Sequence, residues 1–465
     1  MQHRHTSRNL TLLVGFFTSF TLLLSCVKKD VHDTGDYPEG REGVNQWIED
    51  SMRRYYLWSD AIAASPDRNQ NPEDFFISIL DKRDKFSSFS DGSPGEQTLR
   101  SLFGFDFIVS EVGSSSSQII SSVKLVVSGS PADLAGLKRG IYISRINGVL
   151  INSSNYSQLV KDIIDSRVAK LRLASVSATG VVTELQELTV PGRLVSENPV
   201  YTTRVFSSGT VKTGYIYYGS FSDEYSFFLK QKFEEFKREG VQELVVDLRY
   251  NQGGSLAASA VLAVLVSSGM SRQSVYQNLK GNQGLGIRPL TFEEAIKLQR
   301  EGIVIDYDLA RTASLGLDRV FVLTGNQTAS ASEAFINGLA PYCRVITIGE
   351  RTFGKDKGSI LIKDGRTPSV TQIELSPVTY ELFNARNEGN YVSGIPPKYA
   401  EDELRRMPLV SFGSKDDPLL ARAIQLFPDP NAEAVPPSGG KMQSRRIFDS
   451  QPLPANAGVQ LEVVH

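Results

Sequence analysis

Histidine is nearly missing from this chain of 465 residues: the four that occur are His3, His5, His32 and His465, so the interior from 33 to 464 holds no imidazole. A Ser-His-Asp arrangement cannot be assembled there. Cysteine is as scarce, with only Cys26 and Cys343, which excludes a disulfide framework and a thiolate zinc site. Charge of one sign is lacking too. Fifty Lys and Arg stand against 52 Asp and Glu, for a net charge of -2, and no basic run is long enough to track a phosphate backbone, which argues against nucleic acid as a partner. Beyond the first thirty residues no apolar run approaches the about 20 residues of a spanning helix. No phosphate-binding glycine loop, dinucleotide fingerprint or metal-ligand cluster occurs, so no cofactor or metal is implied.

What is present reads as several folded units. The length suggests two to four domains, and 40% hydrophobic with 22% charged residues is ordinary for globular protein. At the start, Arg4 and Arg8 precede an apolar run over 10–24 that ends in Leu23-Leu24-Ser25-Cys26. This resembles a bacterial lipoprotein signal peptide: 1–25 is expected to be removed and Cys26 to carry lipid, with an uncleaved membrane anchor as the alternative. Two or more acyl chains on Cys26 suffice for stable attachment. The mature chain is then expected in a bacterial cell envelope, lipid-anchored at the periplasmic face or the cell surface, with 26–40 as a flexible tether.

Residues 41–95 read as a small helical domain. Val44, Ile48, Met52 and Tyr55 fall on one helix face, and a second helix opens at Pro72 with acidic residues in its first turn. Residues 96–193 alternate short β-rich runs, such as 119–127 and 171–176, with turns and one helix near 156–165. From 194 to 425, strand patterns at 213–218, 244–248, 320–324 and 345–348 alternate with helical ones at 224–239, 256–267 and 332–339. That rhythm predicts an α/β domain with a largely parallel sheet. Residues 426–465, with Pro428, Pro430, Pro436, Pro437 and Gly439-Gly440, are expected to be a flexible tail.

The chemistry concentrates in two stretches. In Thr324-Gly325-Asn326-Gln327-Thr328-Ala329-Ser330-Ala331-Ser332-Glu333, a buried strand runs into a helix, which places Ser330 near a helix N-terminus whose free N–H groups favour an oxyanion. Taken alone, such a serine is more often an N-cap. The second stretch, Gly349-Glu350-Arg351-Thr352-Phe353-Gly354-Lys355, carries one lysine beside glycine. A serine needs a base, and with no histidine available a lysine can serve if burial lowers its pKa from about 10.4 toward neutrality. The bland alternative is a solvated surface lysine.

Both stretches in this order resemble the C-terminal processing (tail-specific) serine peptidase family. So do Val246-Asp247-Leu248-Arg249-Tyr250-Asn251-Gln252-Gly253-Gly254 and the helical opening. Leu102-Phe103-Gly104-Phe105 and Ser130-Pro131-Ala132-Asp133-Leu134-Ala135-Gly136-Leu137 resemble a PDZ domain. The resemblance implies a multidomain α/β protein: an N-terminal helical domain, a PDZ-like domain over 96–193 and a crotonase/ClpP-like peptidase core over 194–425. It implies Ser330 as nucleophile, Lys355 as general base, and an oxyanion hole from Ala331 with Gly253 or Gly254. Phe103, Gly104 and Phe105 would capture the C-termini of polypeptide substrates, unless the PDZ-like domain is only a lid. Many family members place a glutamine four residues after the lysine, where this chain has Ser359; Ser359 or Gln372 would have to orient the amine instead. Asp247 and Arg249 are read as a structural pair. Two other functions compete: a peptide-binding lipoprotein with weak or no catalysis, and an acyl-transfer enzyme on the same core.

Overall fold

The computed structural model describes residues 31–33, 37, 40–428 apart from 94, 96, 113–117, 178–179, 209, 301 and 366–371, and then 444–453 and 459–461. The expected signal segment and Cys26 lie outside the described residues.

Three residues of the expected tether form a strand, β1 (Val31–Asp33), which corrects that part of the tether reading. Helix α1 (Arg41–Tyr55) buries Val44, Trp47, Ile48, Met52 and Tyr55 along one face, as the spacing predicts. Asn71 caps α2 (Pro72–Ser78) by accepting the Glu73 amide, with proline at the first helical position; β2 (Ser88–Ser90) follows. This N-terminal segment has no core of its own. Trp47, Tyr56, Phe75 and Phe76 join the same cluster as Phe221, Val246 and Phe335 of the α/β unit.

The middle unit comprises α3 (Leu99–Phe103), β3 (Phe105–Val112), β4 (Gln118–Val126), β5 (Tyr142–Ile146), α4 (Tyr156–Ser166), β6 (Val168–Val176) and β7 (Val182–Pro191). Its antiparallel sheet runs β3-β4-β5-β6-β7. One side packs Phe103, Phe105, Phe107, Val123, Leu159 and Ile163 into a separate core.

The α/β unit contains β8 (Val200–Ser208), β9 (Val211–Tyr218), α5 (Ser226–Glu239), β10 (Glu243–Asp247), α6 (Leu256–Val266), β11 (Val275–Lys280), β12 (Ile287–Thr291), β13 (Arg319–Thr324), α7 (Ala331–Leu339), β14 (Arg344–Gly349), β15 (Lys357–Ile360), β16 (Ile362–Asp364), β17 (Glu374–Ser376), β18 (Val378–Phe383), β19 (Tyr399–Ala400) and α8 (Pro418–Leu426). The main sheet runs β19-β14-β13-β10-β9-β8 and is parallel except for β8. Its central strands are apolar runs rather than alternating ones because both faces are covered. Against it lies α6, all of whose residues are buried; a helix apolar all round belongs inside. The stretch after α6 adds β11 and β12 to β18 and β15 in a second sheet.

The expected flexible tail is corrected in two places. Strand β20 (Ser444–Asp449) joins the edge of β3, and β21 (Val459–Leu461) pairs with β15. Both partner strands had open edges, and an unpaired edge is a ready template for an added strand. Residues 429–443, 454–458 and 462–465 of that tail lie outside the described residues.

Candidate active site

Strand β13 ends at Thr324, and the chain reaches α7 through a turn tied to its neighbours. The Thr328 hydroxyl donates to the Leu248 carbonyl at 2.8 Å and accepts the Gly325 amide at 2.9 Å. Gly325 lies so close to the Arg249 backbone that a Cβ would stand 2.4 Å from its carbonyl oxygen. At the end of the turn Ser330 has φ 58° and ψ -116°, a backbone conformation costly for a residue with a Cβ. Sharp strand-to-helix elbows of this kind present nucleophilic serines in other folds. Ser330 occupies the N-cap position, yet its Oγ is buried with no hydrogen-bond partner, so its hydroxyl is not consumed as a cap.

The candidate base sits on the next loop. Lys355 is fully buried, and its Nζ likewise has no hydrogen-bond partner. The ammonium site lies 4.6 Å from the centre of the Phe86 ring, and that ring packs edge-on against Phe353. Burial lowers the Lys355 pKa to about 7, while the carboxylates of Asp84 and Glu333 pull it partly back up. Neither Nζ nor Oγ has a partner, so the two are not hydrogen-bonded to each other here; such bonds often tighten only with substrate bound.

One buried carboxylate locks the two loops together. Glu333 Oε2 accepts the amides of Ser330 at 2.9 Å and Lys355 at 2.7 Å; Oε1 accepts the Gly354 amide at 2.7 Å and the Thr352 hydroxyl. The backbone nitrogens of Ser330 and Lys355 therefore cannot be farther apart than two hydrogen bonds laid end to end. Burial lifts the Glu333 pKa to about 7 against these four bonds, each of which favours the anion. Sequence reasoning missed this role, although Ser330-x-x-Glu333 is a capping-box spacing that could have flagged it.

The glycine stretch after β10 lies against Ser330. Gly253 and Gly254 have φ of 108° and 129°. A Cβ on Gly253 would stand 2.7 Å from that of Ser330, and one on Gly254 would stand 2.1 Å from the Phe221 carbonyl oxygen, so only glycine fits at either place. The Gly253 amide is taken by Asn251 Oδ1 at 2.8 Å. Among the described residues no acceptor is bonded to the amides of Gly254 and Ala331, the residues that follow Gly253 and Ser330 in the chain.

Residues 212–375 match the family model of peptidase family S41, and residues 43–88 match that of the peptidase S41 N-terminal domain. Both segments are thus similar to peptidase family S41. Ser330, Lys355 and both glycines fall inside the first. The chain is similar to carboxyl-terminal-processing peptidase 3, chloroplastic, of Arabidopsis thaliana, at 27% identity over 55% of this chain and 47% of that one. It is also similar to a probable CtpA-like serine protease of Staphylococcus aureus strain COL, at 25% identity over 67% of this chain and 54% of that one. The chain thus spans about half the length of these curated relatives. A crystal structure of an S41 protease candidate from Bacteroides fragilis NCTC 9343 superposes with a TM-score of 0.69 at 27% identity, covering 86% of this chain and all of that one.

Within the α/β unit the remaining expected residues separate clearly. Ser359 lies buried on β15 with its Oγ unpartnered, whereas Gln372 is exposed and packs beside Gly92. Asp356 and Lys357, the charged residues that follow Lys355 in the chain, pair with each other at 2.6 Å. Asp247 and Arg249 are structural. Arg249 bonds Asp247, Asp417 and Glu403 in a buried network, and Tyr215 donates to Asp247. Phe103, Gly104 and Phe105 do not form an open carboxylate loop: both rings are fully buried, and the Gly104 amide closes α3 on the carbonyls of Leu99 and Arg100. Phe86 and Asp84, contributed by the N-terminal segment, were invisible as site residues because nothing local in the sequence brings them to Lys355.

Proposed function

We propose that this chain is a serine endopeptidase with a Ser330/Lys355 dyad. Ser330 Oγ attacks a peptide carbonyl carbon while neutral Lys355 takes its proton, and the carbonyl oxygen gains charge facing the amides of Gly254 and Ala331. Lys355 then returns the proton to the leaving amine as the C–N bond breaks. Water attacks the resulting ester, with Lys355 again as base, and frees Ser330. The observation that carries this reading is the pair of buried, unpartnered groups, one hydroxyl on a strained turn and one amine. A buried polar group without a partner costs about 1–3 kcal/mol, and such costs concentrate where chemistry needs them.

The finer reading adds a PDZ-like role for the middle unit, capture of substrate C-termini by strand addition beside β3, and lipid attachment at Cys26 that holds the enzyme in a bacterial cell envelope. A fluorophosphonate probe tests the catalytic core. It should label the full chain at Ser330, identified by peptide mass mapping, and leave the Ser330→Ala chain unlabelled. No adduct at Ser330 over a range of pH would overturn the dyad. A second reading, a peptide-binding protein with weak catalysis, draws on Ser359, whose single hydroxyl stands where many relatives hold an amide; it predicts peptide binding without labelling.

A further inference from the structure

Strand β20 lies antiparallel along β3, pairing Ser444 with Val112 and Asp449 with Ile108, and the ladder continues with the Ser450 amide donating to the Phe107 carbonyl at 2.9 Å. The tail thus runs toward the start of β3, the direction in which an added peptide strand would present its C-terminal end to α3. Phe448 stacks on Tyr156, the first residue of α4, with ring centres 4.4 Å apart, and packs against Phe107. Next to it, Asp449 Oδ1 accepts from Lys124 Nζ at 2.6 Å. Lys124 is wholly buried over the Tyr250 ring; the charge of Asp106 on β3 also favours its ammonium, and Asp449 supplies the direct carboxylate contact.

The same segment touches three loops of the candidate active site. Arg446 bonds Glu350 at 2.7 Å, on the loop that leads to Lys355. Gln451 donates to the Tyr250 carbonyl at 3.2 Å, and its own carbonyl accepts from Gln327 beside the nucleophile turn. Gln252, next to Gly253, donates to the Pro452 carbonyl at 2.6 Å.

We propose that residues 444–452 are a resident peptide ligand of the groove between β3 and α4, and that the groove takes extended polypeptides carrying an aromatic side chain followed by a carboxylate, which gain it by displacing this segment. The inference rests on the peptide-capture reading above and not on catalysis. A tethered segment competes at an effective concentration on the order of millimolar, so a free peptide should bind far more weakly to the intact chain than to one whose own segment is weakened.

The test uses the full chain with Ser330→Ala and a fluorescein-labelled peptide of residues 445–452, followed by fluorescence anisotropy. Adding Phe448→Ala to the chain should tighten probe binding about tenfold or more, and a probe with alanine in place of its phenylalanine should lose that gain. If Phe448→Ala impairs folding, Asp449→Asn serves in its place, with the same expected direction. Equal affinity for both chains overturns the resident-ligand inference while leaving peptide capture intact. Binding to neither chain overturns both.

Discussion

The titration of Lys355 is the most exposed consequence of the proposed dyad. Its pKa stands at about 7 instead of the ordinary 10.5, so at pH 7 roughly half of the molecules carry the free base, against about 3 in 10,000 for an unperturbed amine. Catalysis through neutral Lys355 therefore predicts that second-order labelling of Ser330 rises tenfold per pH unit below about pH 6, reaches half its plateau near 7, and at pH 5 runs at about 1% of the plateau. Since Glu333 titrates in the same range, the limb belongs to the coupled pair. The assay is stopped-time fluorophosphonate labelling between pH 5 and 10. Stability supplies an independent reading. Between about 7 and 10.5 the unfolded chain holds a proton on this amine that the folded one has lost, so this group makes stability rise with pH across that window. The penalty, about 5 kcal/mol from the shift, is complete below 7. Lys355→Met should then stabilise the fold more at pH 6 than at pH 10 by thermal melting. A labelling limb near pH 10, or a Lys355→Met gain independent of pH, would refute the buried-base argument.

Other perturbations separate positioning from chemistry. Glu333→Gln leaves donors facing an amide NH2 and should cost about 2 kcal/mol of stability; because the Glu333 carboxylate raises the Lys355 pKa, it should also move the labelling limb to lower pH, a shift that a merely structural role would not produce. Gly254→Ala forces a Cβ to 2.1 Å from the Phe221 carbonyl oxygen and disturbs one of the two open amides, so labelling should fall by about 100-fold; labelling at the parental rate would remove Gly254 from the oxyanion site. Asp417→Ala strips Arg249 of a bidentate partner, and a broken buried ion pair costs about 3–5 kcal/mol. Its melting temperature should drop while Ser330 in the folded fraction still labels; loss of labelling in fully folded protein would make the network catalytic after all.

The sequence made the α/β unit legible because its signals are local. Val320 to Thr324 is an apolar run that only a strand covered on both faces would need, and 256–266 is apolar all round, as a central helix must be. Ser330 and Lys355 were singled out for a different reason: the two stretches that hold them resemble, in that order, those of a serine peptidase family, and the lack of interior histidine agrees with a lysine base. Glu333 was hidden by its ordinary appearance as a capping-box acid. Phe86 was hidden by distance, since its ring reaches Lys355 only after the N-terminal helices dock on the α/β core. Composition misled over the tail. Proline and glycine between 428 and 440 suggested looseness for the whole segment, but Arg446-Ile447-Phe448 downstream has the apolar and charged residues of a strand that needs a partner edge, and β3 offers one.

Occlusion joins these observations into one argument. Ser330 and Lys355 are both wholly shielded from solvent, and the shielding that lowers the amine's pKa also keeps a polypeptide from reaching the hydroxyl. A cleft open enough for substrate would rehydrate Lys355 and drive it back toward the ammonium form, unless the substrate itself replaces the lost cover. The base is then most effective when the cleft is filled, by bound peptide in turnover or by Phe86 and its neighbours otherwise. Water alone is the poorest filler, because it restores the charge that the chemistry must avoid.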